Sequence, residues 1–115
     1  MEYMLLMISR HSPEDVPVTT ESGEPCCAPW IREMTAQGVV IKDGAQLQSA
    51  SAATTVALQD GEVLLSDGPF AETKEQIVGY NVIECADLDG AILTASRHPV
   101  TENGGRVEIR PILSS

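Results

Sequence analysis

The chain has 115 residues, 17 acidic against 7 basic, a formal net charge of −10, and only one Trp, two Tyr and one Phe. That length suits one domain able to bury about two-thirds of its unfolded surface without a staple. The scarcity of rings predicts an aliphatic core anchored by Trp30 and Phe70. With no run of Lys and Arg, a sequence-independent grip on nucleic acid or anionic lipid is excluded.

Residues 3–8, "YMLLMI", read as a strand in which both alternating sets are apolar, Tyr3/Leu5/Met7 and Met4/Leu6/Ile8, so both of its faces need cover. This apolar run is too short to span a bilayer, and Glu2 stands where a signal peptide would carry a positive charge, which predicts a cytoplasmic protein with no membrane partner. Residues 12–24, rich in Pro, acids and hydroxyls, predict a loop. "PCCAPWIREMTAQG" predicts the first helix, with Pro29 in its first turn and Gly38 ending it. Cys26, Cys27 and Cys85 lack a C-x-x-C spacing and read as apolar fillers.

"VVIKDG" predicts a short strand closing on an Asp43-Gly44 turn, followed by a small-residue loop, "AQLQSASAAT". "TTVALQDGEVLLS" is a hairpin, two β-rich runs joined at Asp60-Gly61, a dipeptide that tolerates the positive φ angles of a tight turn. "IVGYNVIEC" is a further strand. "DLDGAILTASRHP" predicts the second helix, with Asp87 as N-cap, Leu88, Ala91, Ile92 and Ala95 on one face, and Pro99 at the stop. "GRVEIRPIL" closes the chain as a strand with Val107 and Ile109 on one face and Glu108 and Arg110 on the other.

This order, strand, helix, strand, hairpin, strand, helix, strand, fits an α+β ferredoxin-like sandwich: an antiparallel sheet with an inserted hairpin and two helices on one face. Two helices cover only that face. The two-faced first strand therefore predicts a homodimer, in which another subunit covers the second face.

The runs "YMLLM", "ATTVALQDGEVLLSDGPFAETKEQIVGYNVIECADLDGAI" and "VEIRPI" resemble the YciI-related family, in the branch named after its Asp-Gly-Pro-Phe motif, here Asp67-Gly68-Pro69-Phe70. The resemblance implies a dimeric α+β barrel built from two ferredoxin-like sheets packed face to face. The chain departs from the pattern near "KDGAQLQSAS" and at Gly90. Relatives in the wider family are proposed as small-molecule enzymes, one type resembling a dehydrochlorinase, and many members of this branch are encoded beside extracytoplasmic-function sigma factors.

Two readings of Asp67 stand side by side. As a turn residue it folds its carboxylate onto backbone N–H groups ahead, with Gly68 supplying unusual dihedrals, Pro69 opening a helical turn and Phe70 plugging the core. As a catalytic residue it is a general acid or base at the mouth of a pocket, with Lys74 and Arg110 holding a small anionic or aromatic substrate. His98, just past the second helix, reads first as a dipole partner, and His11 ends the first strand; both are secondary site candidates. These isolated histidines have no ligand spacing with Cys or acid, and no phosphate-cradling fingerprint occurs, so neither a metal nor a cofactor is expected.

The functional expectation is a small-molecule-binding protein or a cofactor-independent enzyme of lyase or isomerase type. The alternative is an accessory interaction protein acting with a sigma-factor system, its acidic surface being the working part. A cofactor-free monooxygenase fits less well, because few aromatic or His residues are available to line its site.

Overall fold

A computed structural model of the chain describes residues 1–11, 23, 27–68 and 75–113. Its elements run β1 (Glu2–Ser9), α1 (Ala28–Ala36), β2 (Val40–Gln46), a 3-10 turn (Ala50–Ala52), β3 (Thr54–Gln59), β4 (Glu62–Asp67), β5 (Gln76–Glu84), α2 (Leu88–Ser96), α3 (Pro99–Glu102) and β6 (Arg106–Pro111). Four strands form an antiparallel sheet in the order β2-β5-β1-β6, and β3 and β4 form a separate two-stranded ribbon. With α1 against β2 and α2 against β6, this is the expected ferredoxin-like α+β arrangement with an inserted hairpin. The predicted loop at residues 12–24, apart from Gly23, lies outside the described residues, as does Phe70.

The period-two pattern of β1 decides where the core sits. Tyr3, Leu5 and Met7 point into the helix layer and are buried with Ile83 of β5, whereas Met4, Leu6 and Ile8 are half-buried on the opposite face. Trp30 and Met34, four residues apart on α1, fill the space between sheet and helices. Pro29 lies in the first turn of α1, and Gly38 follows its end at φ 90°, a conformation that glycine adopts without a Cβ clash.

The second helix is rotated from its expected setting. Asp87 caps it, its Oδ1 accepting from the Gly90 N–H at 3.0 Å, but the buried face is Ala91, Thr94 and Ala95, while Leu88 and Ile92 remain half-exposed. The cause is Trp30, whose indole N–H donates to the Thr94 carbonyl at 2.9 Å and so brings the small-residue side of the helix inward.

The Asp43-Gly44 turn is also corrected. Both residues continue in β2, which runs on through Ala45 and Gln46, and the irregularity is a bulge at Lys42, where the register with β5 slips between Ile41 and Asp43. The glycine is needed for space, because a Cβ at Gly44 would lie 2.2 Å from Asn81 Nδ2. The Asp60-Gly61 turn does form as expected, with φ 50° and 80° and Gln59 paired to Glu62.

Replacing Trp30 with Phe keeps most of the apolar volume but strands a buried carbonyl at Thr94. Urea denaturation is expected to show a loss of about 1–3 kcal/mol with an unchanged m-value.

Candidate functional site

A cavity of about 280 Å³ opens between the sheet and the helix layer, where the end of β1 meets the start of α1 and the α2–α3 corner. Its apolar wall is Met7, Ile31, Val78 and Val100. A strand irregularity and a glycine shape the sheet side. The register of β5 on β1 slips between Met7 and Ile8, so Val78 leaves the pairing pattern and packs toward the core. Gly79 beside it keeps the wall low, since a Cβ there would stand 3.0 Å from the Ala45 carbonyl oxygen. Across from it, Asn81 lies over Gly44 and its Nδ2 donates to the Asp43 carbonyl at 3.4 Å.

The most chemically distinctive group in the cavity is His98, which is 7% exposed. It is the N-cap of α3, and its Nδ1 accepts the Val100 N–H at 3.0 Å. A ring nitrogen that accepts a backbone N–H carries no proton, so the proton of the neutral ring sits on Nε2. Nε2 lies 3.8 Å from Cys27 Sγ, and the Trp30 ring meets the imidazole edge to face with centroids 4.7 Å apart. Burial pushes the His98 pKa down to about 4. The imidazole is therefore an N–H donor toward sulfur and cannot take the thiol proton at Nε2, so the pair is not a base-activated nucleophile.

The remaining polar lining is Ser9, His11, Gln46 and Asn103. His11 is exposed at the rim, and its backbone N–H donates to Ser9 Oγ at 3.0 Å. No Asp, Glu, Lys or Arg lines the cavity among the described residues. The arrangement offers uncharged hydrogen-bonding groups above an apolar floor, which suits a small neutral molecule.

A model of the YCII-related domain matches residues 1–114. The chain belongs to that family. It is also 43% identical over 72 residues to an uncharacterised protein of Rhizobium meliloti (strain 1021), a match covering 59% of this chain and 56% of that protein. The match thus spans little more than half the length of the relative.

In this YCII-related chain the described residues singled out from sequence fall in separate places. Asp67 ends β4, exposed, at the base of the hairpin; the Gly68 N–H donates to the Ala53 carbonyl at 2.6 Å, and Thr55 Oγ1 donates to the Gly68 carbonyl at 2.8 Å. Pro69, Phe70 and Lys74 lie outside the described residues. Arg110 stands on the sheet face away from the helices, where its guanidinium meets Glu108 at 3.3 Å. Neither Asp67 nor Arg110 lines the cavity, whereas both His98 and His11 do.

His98 is not the cationic dipole partner of α2 that its position suggested, because it is buried and neutral. Sequence reading passed over Cys27 and Asn81 as site residues. The available signal was the His98-Pro99 pair, an N-cap residue followed by Pro at the first helical position.

The depressed pKa gives a pH signature. Below pH 6.5 the unfolded chain takes up a proton at His98, which the folded chain resists until about pH 4. This contribution to stability is complete above pH 6.5 and falls as pH drops toward 4, by up to about 3 kcal/mol at 1.36 kcal/mol per pKa unit. Denaturation between pH 7 and pH 4 should show this slope in the wild type. In His98→Asn, which keeps a capping side chain without a titrating ring, the slope should flatten.

Proposed function

We propose that this chain binds a small, neutral, largely apolar or aromatic molecule in the cavity between sheet and helices, as a binding protein or a cofactor-independent enzyme. The observation that carries this reading is the lining itself, an apolar floor with a few uncharged polar groups and no Asp, Glu, Lys or Arg among the described residues. Among the described residues a buried anion there would find no counter-charge, which supports a neutral ligand over the anionic one expected from Lys74 and Arg110. Asp67 does not line this cavity, so the reading assigns it no proton transfer there. A lyase or isomerase chemistry would draw its polar contacts from the thiol of Cys27, the His98 Nε2–H and the Asn81 carboxamide.

We extend the reading to a homodimer in the manner of a dimeric α+β barrel, supported by the apolar set Met4, Leu6, Ile8, Tyr80 and Val82 on the sheet face that carries no helix. The motif at Asp67 and Gly68 supports placing the chain in the Asp-Gly-Pro-Phe branch. A cytoplasmic location suits a chain with three cysteines and no C-x-x-C spacing; among the described residues no helix is long and apolar enough to cross a membrane. The accessory role beside a sigma factor draws only on the net charge of −10, and the cavity lends it no support.

Benzyl alcohol and benzoate, similar in shape and different in charge, test the ligand class. Benzyl alcohol should raise the melting temperature and shift the amide resonances of Val78, Gly79 and Val100, and benzoate should do so at least about tenfold more weakly. Gln46→Phe, which adds bulk from an edge strand on the helix side of the sheet, opposite Gly79, into the cavity, should keep the fold and abolish the response. Equal or tighter binding of benzoate, or binding unaffected by Gln46→Phe, would sink the neutral-cavity reading.

A further inference from the structure

Where the start of α1 and the α2–α3 corner form its wall, the cavity presents a strong hydrogen-bond donor and is poor in acceptors. His98 is 7% exposed, and its Nδ1 is taken by the Val100 N–H, which leaves Nε2–H as the polar group that the ring offers. That N–H meets Cys27 Sγ at 3.8 Å, and Cys27 lines the cavity with it. A thiol sulfur is a weak acceptor, so most of the donor's capacity is still to be met. The backbone carbonyls around the ring are engaged. Thr94 accepts from the Trp30 indole, Ala95 from the His98 N–H, Ser96 and His98 from the Thr101 hydroxyl, Pro99 from Asn103 Nδ2 and Val100 from the Gly105 N–H. Ser9 Oγ already accepts from the His11 N–H, Gln46 and Asn81 stand across the cavity on β2 and β5, and Asn103 is exposed beyond α3.

We propose that the ligand of this cavity is a neutral carbonyl compound, of ketone or ester type, whose oxygen accepts from His98 Nε2–H. The inference rests on the neutral-cavity reading and names the chemical class of its ligand. A carbonyl oxygen satisfies the donor and brings no proton of its own. An alcohol of the same size can also accept from Nε2–H, but its O–H is then left against sulfur and hydrocarbon. A carboxylate would need a counter-charge, and the lining has none among the described residues. The bond from Val100 and the edge-to-face contact with Trp30 hold the imidazole in place, so binding costs little side-chain freedom. His98 is thus the residue that sets specificity, through the one proton it holds toward the cavity.

Acetophenone and 1-phenylethanol, close in size and both uncharged, carry a C=O and a CH–OH at the same position and test the inference. Titrations followed by the amide resonances of Val78, Gly79 and Val100 should give acetophenone a dissociation constant about tenfold lower. Its binding should also move the His98 Nε2–H proton resonance downfield, which a purely structural His98 would not show. In Cys27→Ser the hydroxyl supplies an acceptor for the alcohol's proton, and the preference should shrink to about twofold or less. Ser is favoured at the N-cap of α1, where Cys27 stands, so the variant keeps the helix start. Equal binding of the two compounds, tighter binding of the alcohol, an Nε2–H resonance that stays in place, or a preference unchanged in Cys27→Ser overturns the carbonyl inference and leaves the neutral cavity standing. Amide resonances that neither compound moves overturn both. Should Cys27→Ser misfold, the wild-type titrations and the Nε2–H resonance decide.

Discussion

The contact on which the helix layer depends is that of Trp30 with the α2–α3 corner. Its indole N–H reaches the Thr94 carbonyl and its ring meets His98 edge to face, so one side chain of α1 fixes both the depth of α2 and the entry into α3. The partners are small, Ala91, Thr94 and Ala95, and none could fill the gap that losing the indole would leave. The volume to one side of this contact, which no ring occupies, is the cavity.

The sheet contributes through its irregularities. A regular β5 would send Val78 to the face opposite Gly79 and away from the helices; the bulge sends it toward the core instead. A regular β2 bearing a side chain at residue 44 would collide with Asn81. Both departures from ideal pairing lie beside the cavity. The open face is regular where β1 meets β6, with Met4, Leu6 and Ile8 opposite Arg110, Glu108 and Arg106. Charges on the margin surround an apolar strip, and Lys42 bridges Glu2 and Glu84 at 2.9 and 3.2 Å on its other side. This pattern leaves a sheet face that is soluble at its edges and apolar at its centre.

Local signals made the element order legible: the alternation in β1, the Asp60-Gly61 turn, the Asp87 cap and the Pro29 and Gly38 limits of α1 each depend on a few neighbouring residues. Failures arose where a distant residue overrode the local preference. Asp43-Gly44 has the composition of a turn, but Asn81 requires the missing Cβ within a continuous strand. Leu88 and Ile92 look like core positions until Trp30 draws the other side of the helix inward. The site was less legible still, because its walls come from five separated stretches and none carries a motif. Of the most unusual run of the sequence, Asp67 and Gly68 belong to the hairpin base and do not line the cavity.

Charge and cavity have one physical explanation. Among the described residues of a chain with a net charge of −10, the ionised groups lie on strand edges, helix surfaces and the β3–β4 hairpin, and the lining holds none of Asp, Glu, Lys or Arg. The same low polarity that keeps His98 neutral, with its proton on Nε2 and its other nitrogen engaged by Val100, would oppose entry of any charged ligand. Protonating His98 would place two donors, the ring's Nδ1–H and the Val100 N–H, against each other at 3.0 Å and release the cap of α3. The neutrality of the cavity and the integrity of the corner that forms it are thus a single requirement, which ties the class of ligand to the packing around Trp30.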